Sequence, residues 1–205
     1  VIRVCNGYHV DQRKRTRALS EGERVAEFER IAMPHTKAAF ELARWLTRDE
    51  HDAEDVVQDA YLRAFKYFGG FNGSDARTWL LAIVRNTFYT WREKQAVRDD
   101  EIPLAHGGAG ADDDGAEIDR ADPSQENPGA ELERACDRLL VDAAIRALPV
   151  EFREVIVLRE LEDLSYKEIA KVVGVPLGTV MSRLARGRER LRELLSQDVT
   201  REVPQ

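Results

Sequence analysis

The sequence predicts an all-α protein of two small helical domains joined by a flexible acidic linker, and three observations predict it. Apolar residues recur at three- and four-residue spacing, with no alternating run that reads as a strand. Charged residues make up 34% of the chain and aromatic residues 7%, the balance of solvated helices around modest cores. The helical pattern also stops once, over residues 96–133, where glycine and proline accumulate. With 205 residues, each block has enough chain to bury a core of its own. The expected organisation is a disordered extension over 1–20, a first block over 21–95, a linker over 96–133, a second block over 134–197 and a tail over 198–205. The run Arg13 to Arg17 makes the extension a basic arm.

In the first block, Ser20 followed three residues later by Glu23 is a capping box that leads into Val25, Phe28, Ile31 and Ala32. Pro34 interrupts that helix. A second stripe of Ala38, Ala39, Leu42, Ala43 and Leu46 runs to a polar turn over Thr47 to His51. Asp52 is the expected cap of the next helix, with Glu54 and Asp55 at the positive end of its dipole. Its core face contains Ala53, Val57, Ala60, Tyr61, Ala64 and Phe68. The opposite face holds Asp55, Gln58, Asp59 and Lys66, with Leu62 among them. An apolar residue inside a polar face invites a partner, although single exposed apolar residues are common on protein surfaces.

A glycine-rich loop, Gly69 to Asp75, precedes a helix whose buried side is read as Leu80, Ile83, Val84, Thr87, Phe88 and Trp91. Arg85, Asn86, Tyr89 and Arg92 are left on or near its outer side. Aromatic and basic groups interleaved beside such a loop suit single-stranded nucleic acid, which needs stacking platforms and phosphate partners.

Within the linker, from Asp112 to Glu126, the acids Asp112, Asp113, Asp114, Glu117, Asp119, Asp122 and Glu126 oppose Arg120 alone, and self-repulsion extends such a segment. The second block opens with a helix through Leu139, Leu140, Ala144, Ile145 and Leu148, followed by one that Pro149 opens through Val155, Ile156 and Leu158. Then comes SYKEIAKVVGVPLGTVMSRLARGRERLRELL, from Ser165 to Leu195. Ser165 and Glu168 form a capping box, Ile169, Ala170 and Val173 an apolar stripe, Gly174 a stop, and Pro176 a first-turn residue of the next helix. Leu177, Val180, Leu184, Leu191 and Leu195 gather on the core side of that helix. Gly178, Thr179, Ser182, Ala185 and Arg186 lie opposite, flanked by Arg183 and Arg190. Turn, caps and a small donor-rich face together are a helix-turn-helix fitted to a major groove.

A net charge of −7 is unexpected for a protein that grips DNA unaided, because phosphate attraction supplies most non-specific affinity. The charge is segregated: from Lys167 to Arg192 only Glu168 and Glu189 oppose the basic residues, while acid collects in mid-chain, where it could also compete with DNA for them. Cys5 and Cys136 are far apart, which fits a reducing cytoplasm and neither a disulfide framework nor a zinc site. No apolar run approaches the ~20 residues of a bilayer span, so membrane insertion is not expected. His9, His35, His51 and His106 are scattered, and no nucleophile with supporting bases stands out. Neither a catalytic site, a metal site nor a cofactor is expected. An enzyme with an appended DNA-binding module, such as a resolvase, is disfavoured on that ground. A dimeric LuxR-type regulator, whose helix-turn-helix also carries Ser-x-x-Glu-Ile-Ala, is the alternative.

Three segments, over about residues 24 to 195, resemble in order the extracytoplasmic-function (ECF) class of bacterial sigma-70 factors. DAEDVVQDAYLRAFKYF resembles the region 2 helix that docks on the clamp helices of the RNA polymerase β′ subunit. ARTWLLAIVRNTFYTWREK resembles the segment that melts and reads the −10 element. ALPVEFREVIVLRELEDLSYKEIAKVVGVPLGTVMSRLARGRERL resembles region 4, which reads the −35 element. The resemblance implies Asp55, Gln58, Asp59 and Leu62 for polymerase binding. For the −10 element it implies Gly70, Phe71, Asn72, Gly73, Ser74 and Asp75, which hold a flipped base, with Arg85, Asn86, Tyr89 and Arg92. For the −35 element it implies Pro176, Gly178, Thr179, Ser182, Arg183 and Arg186, with Gly178 permitting close approach, and it gives Trp79 a packing role. The partners it implies are core polymerase through β′ and the β flap, promoter DNA and an anti-sigma factor. Met181 stands where many relatives have a basic residue and Ala185 where some have a larger one, so the −35 preference is this chain's own.

Overall fold

A computed structural model describes residues 20–71, 75–101 and 128–201, and every described element is helical. The order is α1 (Glu21–Ala32), a 3-10 turn (Met33–His35), α2 (Thr36–Thr47), α3 (Glu50–Tyr67), a 3-10 turn (Phe68–Gly70), α4 (Ala76–Glu101), α5 (Pro128–Ala147), α6 (Val150–Ile156), a π-helical turn (Val157–Leu161), α7 (Tyr166–Val173) and α8 (Leu177–Arg201). The expected extension, apart from Ser20, and most of the linker lie outside the described residues. The linker's expected edges move: α4 continues past residue 95 to Glu101, and α5 begins at Pro128 rather than after 133.

Both capping boxes form, Ser20 with Glu23 and Ser165 with Glu168, so in each case two orphan amide donors at a helix start are satisfied reciprocally. The hydrogen bonds hold the Glu23 and Glu168 carboxyls below their usual range. The cap of α3 is Asp49 and not Asp52: the Asp49 carboxylate accepts from the Asp52 amide at 2.9 Å, because the preceding turn is shorter than its polar sequence suggested. Gly174 ends α7 with φ 70, a left-handed conformation that glycine adopts without steric cost. Pro176 lies just before α8, where its carbonyl accepts from Thr179 and Val180.

In the first domain α2, α3 and α4 enclose Leu42, Ala43, Leu46, Ala53, Val56, Ala60 and Ala64. Phe28 closes one end, edge-on to Tyr61, Phe65 and Phe68. In the second, α6 packs on α8 at Gly187, where an added Cβ would come within 3.1 Å of the Ile156 side chain. The two domains also pack on each other, α4 on α7 and α2 on α6, and their cores form one continuous apolar cluster. This contact buries Leu81 and Ala82, which lie outside the stripe expected for α4. Conversely Val25, Leu139 and Leu177, expected in cores, are exposed. Each sits at the rim of its helix's stripe, where periodicity alone does not say how far the neighbouring helix reaches.

Candidate polymerase and nucleic-acid interfaces

Three surfaces carry the expected functional residues. On α3 the core stripe turns Asp55, Gln58 and Asp59 to solvent, and Leu62 is 70% exposed beside them. No described side chain covers this face. It therefore combines acceptors with an apolar centre.

The second surface is the loop and helix after α3. Gly70 is exposed, whereas Phe71 is buried, stacked on Phe68 at 6.1 Å and tilted against Trp79 at 4.8 Å. Phe71 is thus a core residue that anchors the loop, and Trp79 packs as expected. Asn72, Gly73 and Ser74 lie outside the described residues. Asp75 caps α4, its carboxylate accepting from the Thr78 amide at 3.0 Å.

Along α4, Arg85 and Tyr89 are not on an open outer side, because the second domain covers them. Arg85 donates to Glu154 of α6 through Nε at 2.7 Å and Nη2 at 3.2 Å, and the Tyr89 hydroxyl donates to the same carboxylate at 3.0 Å. Two guanidiniums stand over the Tyr89 ring, Arg85 at 4.5 Å and Arg92 at 5.5 Å from its centroid. Burial and the Glu154 charge push the Tyr89 phenol up to about 12, so it stays protonated and donating. Asn86 is half-buried, and Arg92 is exposed.

The third surface is the N-terminal half of α8. Pro176, Gly178, Ser182 and Arg186 are exposed and Thr179 half-buried, with open space where a Gly178 side chain would begin. The Ser182 hydroxyl donates to the Thr179 carbonyl at 3.0 Å. Met181 and Ala185 stand exposed between them. Arg183 differs from its neighbours: it turns inward and donates to Glu154 at 3.0 Å. The helix after the turn thus presents small groups and one guanidinium, Arg186, on its exposed face.

Sequence reasoning missed Glu154, the residue on which Arg85, Tyr89 and Arg183 converge. Its signal was present: Val150, Glu154 and Leu158 share i, i+4 spacing, which sets a carboxylate in a core stripe. Among the described residues no group of metal-ligating side chains comes together, and no helix is long and apolar enough to cross a membrane.

Comparison with known proteins places the chain in one family. Residues 31–98 match sigma-70 region 2, and residues 138–191 match sigma-70 region 4. The ECF RNA polymerase sigma-E factor of Haemophilus influenzae is 34% identical over 173 residues, which cover 83% of this chain and 88% of the relative. The chain belongs to the ECF sigma-70 family of RNA polymerase sigma factors. The ECF sigma factor SigE of Mycolicibacterium smegmatis is 32% identical over 174 residues; the match covers 84% of this chain and 63% of that longer relative. Among solved structures, the sigma factor RpoE of Bartonella quintana, in complex with the anti-sigma factor NepR, is similar with a TM-score of 0.61 and 28% identity. That match covers 83% of this chain and 97% of the other. CnrH in complex with the cytosolic domain of CnrY follows at 0.56 and 26%, covering 85% and 90%. An ECF sigma factor directs RNA polymerase to promoters and is not itself an enzyme. The match over 31–98 gives the first domain to region 2, which the dimeric-regulator alternative leaves unexplained.

Proposed function

We propose that this sigma factor divides its work among the three surfaces. Region 2 grips the polymerase β′ clamp helices through Asp55, Gln58, Asp59 and Leu62. The α4 face of Arg85, Asn86, Tyr89 and Arg92, with the loop from Gly70 to Asp75, reads and opens the −10 element. The face of Pro176, Gly178, Thr179, Ser182 and Arg186 reads the −35 element while region 4 rests on the β flap. Arg183 supports that helix from within through Glu154.

The observation that carries this reading is the exposure of Gly178, Ser182 and Arg186 on one face of α8, beginning one residue after the turn through Gly174 to Pro176. An arginine fork beside small residues can address a base edge bidentately while the helix approaches closely. Binding and strand separation are then the whole mechanism, with no covalent step. The site of action is the cytoplasm, where polymerase and DNA are.

Both solved relatives above are complexes with a second protein, in one case an anti-sigma factor, and we extend that to this chain: an anti-sigma factor covers the exposed faces of regions 2 and 4. Mapping transcript starts after overexpression tests the reading. A shared −35/−10 pair upstream of induced genes, with permanganate-reactive thymines at −10 in the presence of core enzyme, is the expected outcome. Normal melting by Asn86→Ala would remove the −10 assignment and leave region 2 as a docking domain.

A further inference from the structure

The guanidiniums where the domains meet are balanced unevenly. Some have their acid: Arg85 and Arg183 share the buried carboxylate of Glu154, and Arg77 of α4 pairs with Glu162 ahead of α7. Others do not. Arg48 caps the end of α2, Arg146 lies in the last turn of α5, Arg153 on α6 and Arg92 on α4, and among the described residues none of these four is paired with a carboxylate.

Hydrogen bonds chain three of them together. Arg153 donates through Nη1 to the Arg146 carbonyl at 3.1 Å, and Arg146 donates through Nη1 to the Arg48 carbonyl at 3.2 Å, with its guanidinium 5.8 Å from the centre of the Trp45 ring. Arg92 joins them through Tyr89, whose ring it stands over and whose hydroxyl reaches Glu154, the residue next to Arg153. The cluster grades inward: Arg48 and Arg92 are exposed, Arg146 is half-buried, and Arg153 is 3% exposed with an Nε that has no partner. A guanidinium carries five N–H donors, so one carbonyl each leaves most of the donors of Arg153 and Arg146 unspent. Burying an ionised group without an opposite charge is costly. Burial first, then the charge of Arg48, and further those of Arg146 and Arg92, pull the pKa of Arg153 down to about 10, while the Tyr89 phenol acts the other way. An anion among the four would remove that cost.

We propose that Arg48, Arg92, Arg146 and Arg153 form a binding site for a compact phosphate-type oxyanion. Planar guanidinium forks address two oxygens of such an anion at once, and forks from four helices approach it from several directions. Bulk charge does not supply this binding, because the chain as a whole stands at −7. A free polyphosphate and the backbone of a nucleic acid both offer the chemistry. The site does not depend on the −10 reading, although Arg92 is common to both.

The probes are inorganic pyrophosphate and the dinucleotide TpT, titrated into the full-length chain at constant ionic strength and followed by calorimetry and by phosphorus-31 line broadening. Pyrophosphate should bind at one site per chain. Arg48→Asn places a residue that tolerates the left-handed φ of 70 found there, and Arg146→Gln keeps an N–H donor, so both variants should retain the parent circular dichroism. Each should weaken pyrophosphate about tenfold, the worth of one charge-assisted hydrogen bond, and the double variant should abolish binding. Arg30→Gln removes the same charge from an exposed position of α1 and should change nothing. TpT that binds as tightly as pyrophosphate, with the same losses in the variants, would support the site and name the nucleic-acid backbone as its ligand; weaker TpT would support it and name a free anion. Neither probe binding the parent chain would overturn the site, as would pyrophosphate binding that survives the double variant. Equal losses in Arg30→Gln and Arg146→Gln would also overturn it, because the anion would then follow overall charge and not this cluster.

Discussion

The leftover faces of α3 and α4 follow one pattern, charged and polar residues with one large side chain among them, acidic on α3 and basic on α4, yet they end in different places. On α3 the face is open, with Leu62 70% exposed. On α4 it is covered by region 4, leaving the Arg85 side chain 16% exposed and Ala82 only 4%. The difference shows what helical periodicity delivers. It assigns a residue to or away from the core of its own domain, and it is silent on a second domain whose contacts come from 65 to 85 residues further along the chain.

The covered face is the one to break first. Glu154→Ala strands Arg85, Arg183 and the Tyr89 hydroxyl in a junction built around a carboxylate, and removing one partner of a buried pair costs about 3 kcal/mol. Chemical unfolding should show that loss in the intact chain. An unchanged midpoint would mean that the three donors find water as readily as they find Glu154.

The open face should respond in the opposite manner. Leu62→Arg or Asp55→Arg leaves the α3 core untouched, so stability should stay within about 0.5 kcal/mol. Binding to core polymerase should nonetheless fall by about 2 kcal/mol, more than tenfold, if Leu62 is a hot spot. Pull-down by core enzyme with an unchanged circular dichroism spectrum checks it, and undiminished capture would remove this face as the interface.

How much of this was legible follows from the range of each interaction. The capping boxes, the left-handed Gly174 and the stripes of α2 and α7 depend on residues within one or two turns, and they appear where the sequence puts them. The burial of Phe71 was not legible, since an aromatic among glycines reads equally as a loop tip or an anchor; only its packing against Phe68 and Trp79 decides. Arg183 and Arg186 are three residues apart on one basic helix and were read alike. Glu154 separates them, drawing Arg183 inward and leaving Arg186 exposed.

That separation gives a third, smaller effect. Arg186→Ala should weaken −35-dependent transcription by about 1.5 kcal/mol and relax preference at one base pair, with Ser182→Ala doing less. Arg183→Ala should instead lower stability, with equal loss on every −35 variant. If Arg186→Ala weakens all variants uniformly and flattens the salt dependence, its guanidinium meets a phosphate and not a base edge.

The smallest effect reads the cover on α4 directly. Tyr89→Phe removes one hydrogen bond to a carboxylate that keeps both guanidiniums, a loss of about 1 kcal/mol near neutral pH. The phenol itself gives a sharper signal, because its pKa stands at about 12 in the closed arrangement against an ordinary value of 10.0. A folded-state pKa raised in this way contributes stability that is fully present below the unfolded value and is lost as pH rises through the folded one. The Tyr89 part of the closed state should therefore fade between about pH 10 and pH 12. Carbon-13 labelling of the tyrosine ring carbons resolves Tyr89 from the other tyrosines. Its resonance should titrate near pH 12 in the parent chain and move back toward pH 10 in Arg77→Glu, where the cover is loosened. An ordinary titration in the parent chain would show that α4 is as open to water as α3, and the contrast between the two faces would disappear.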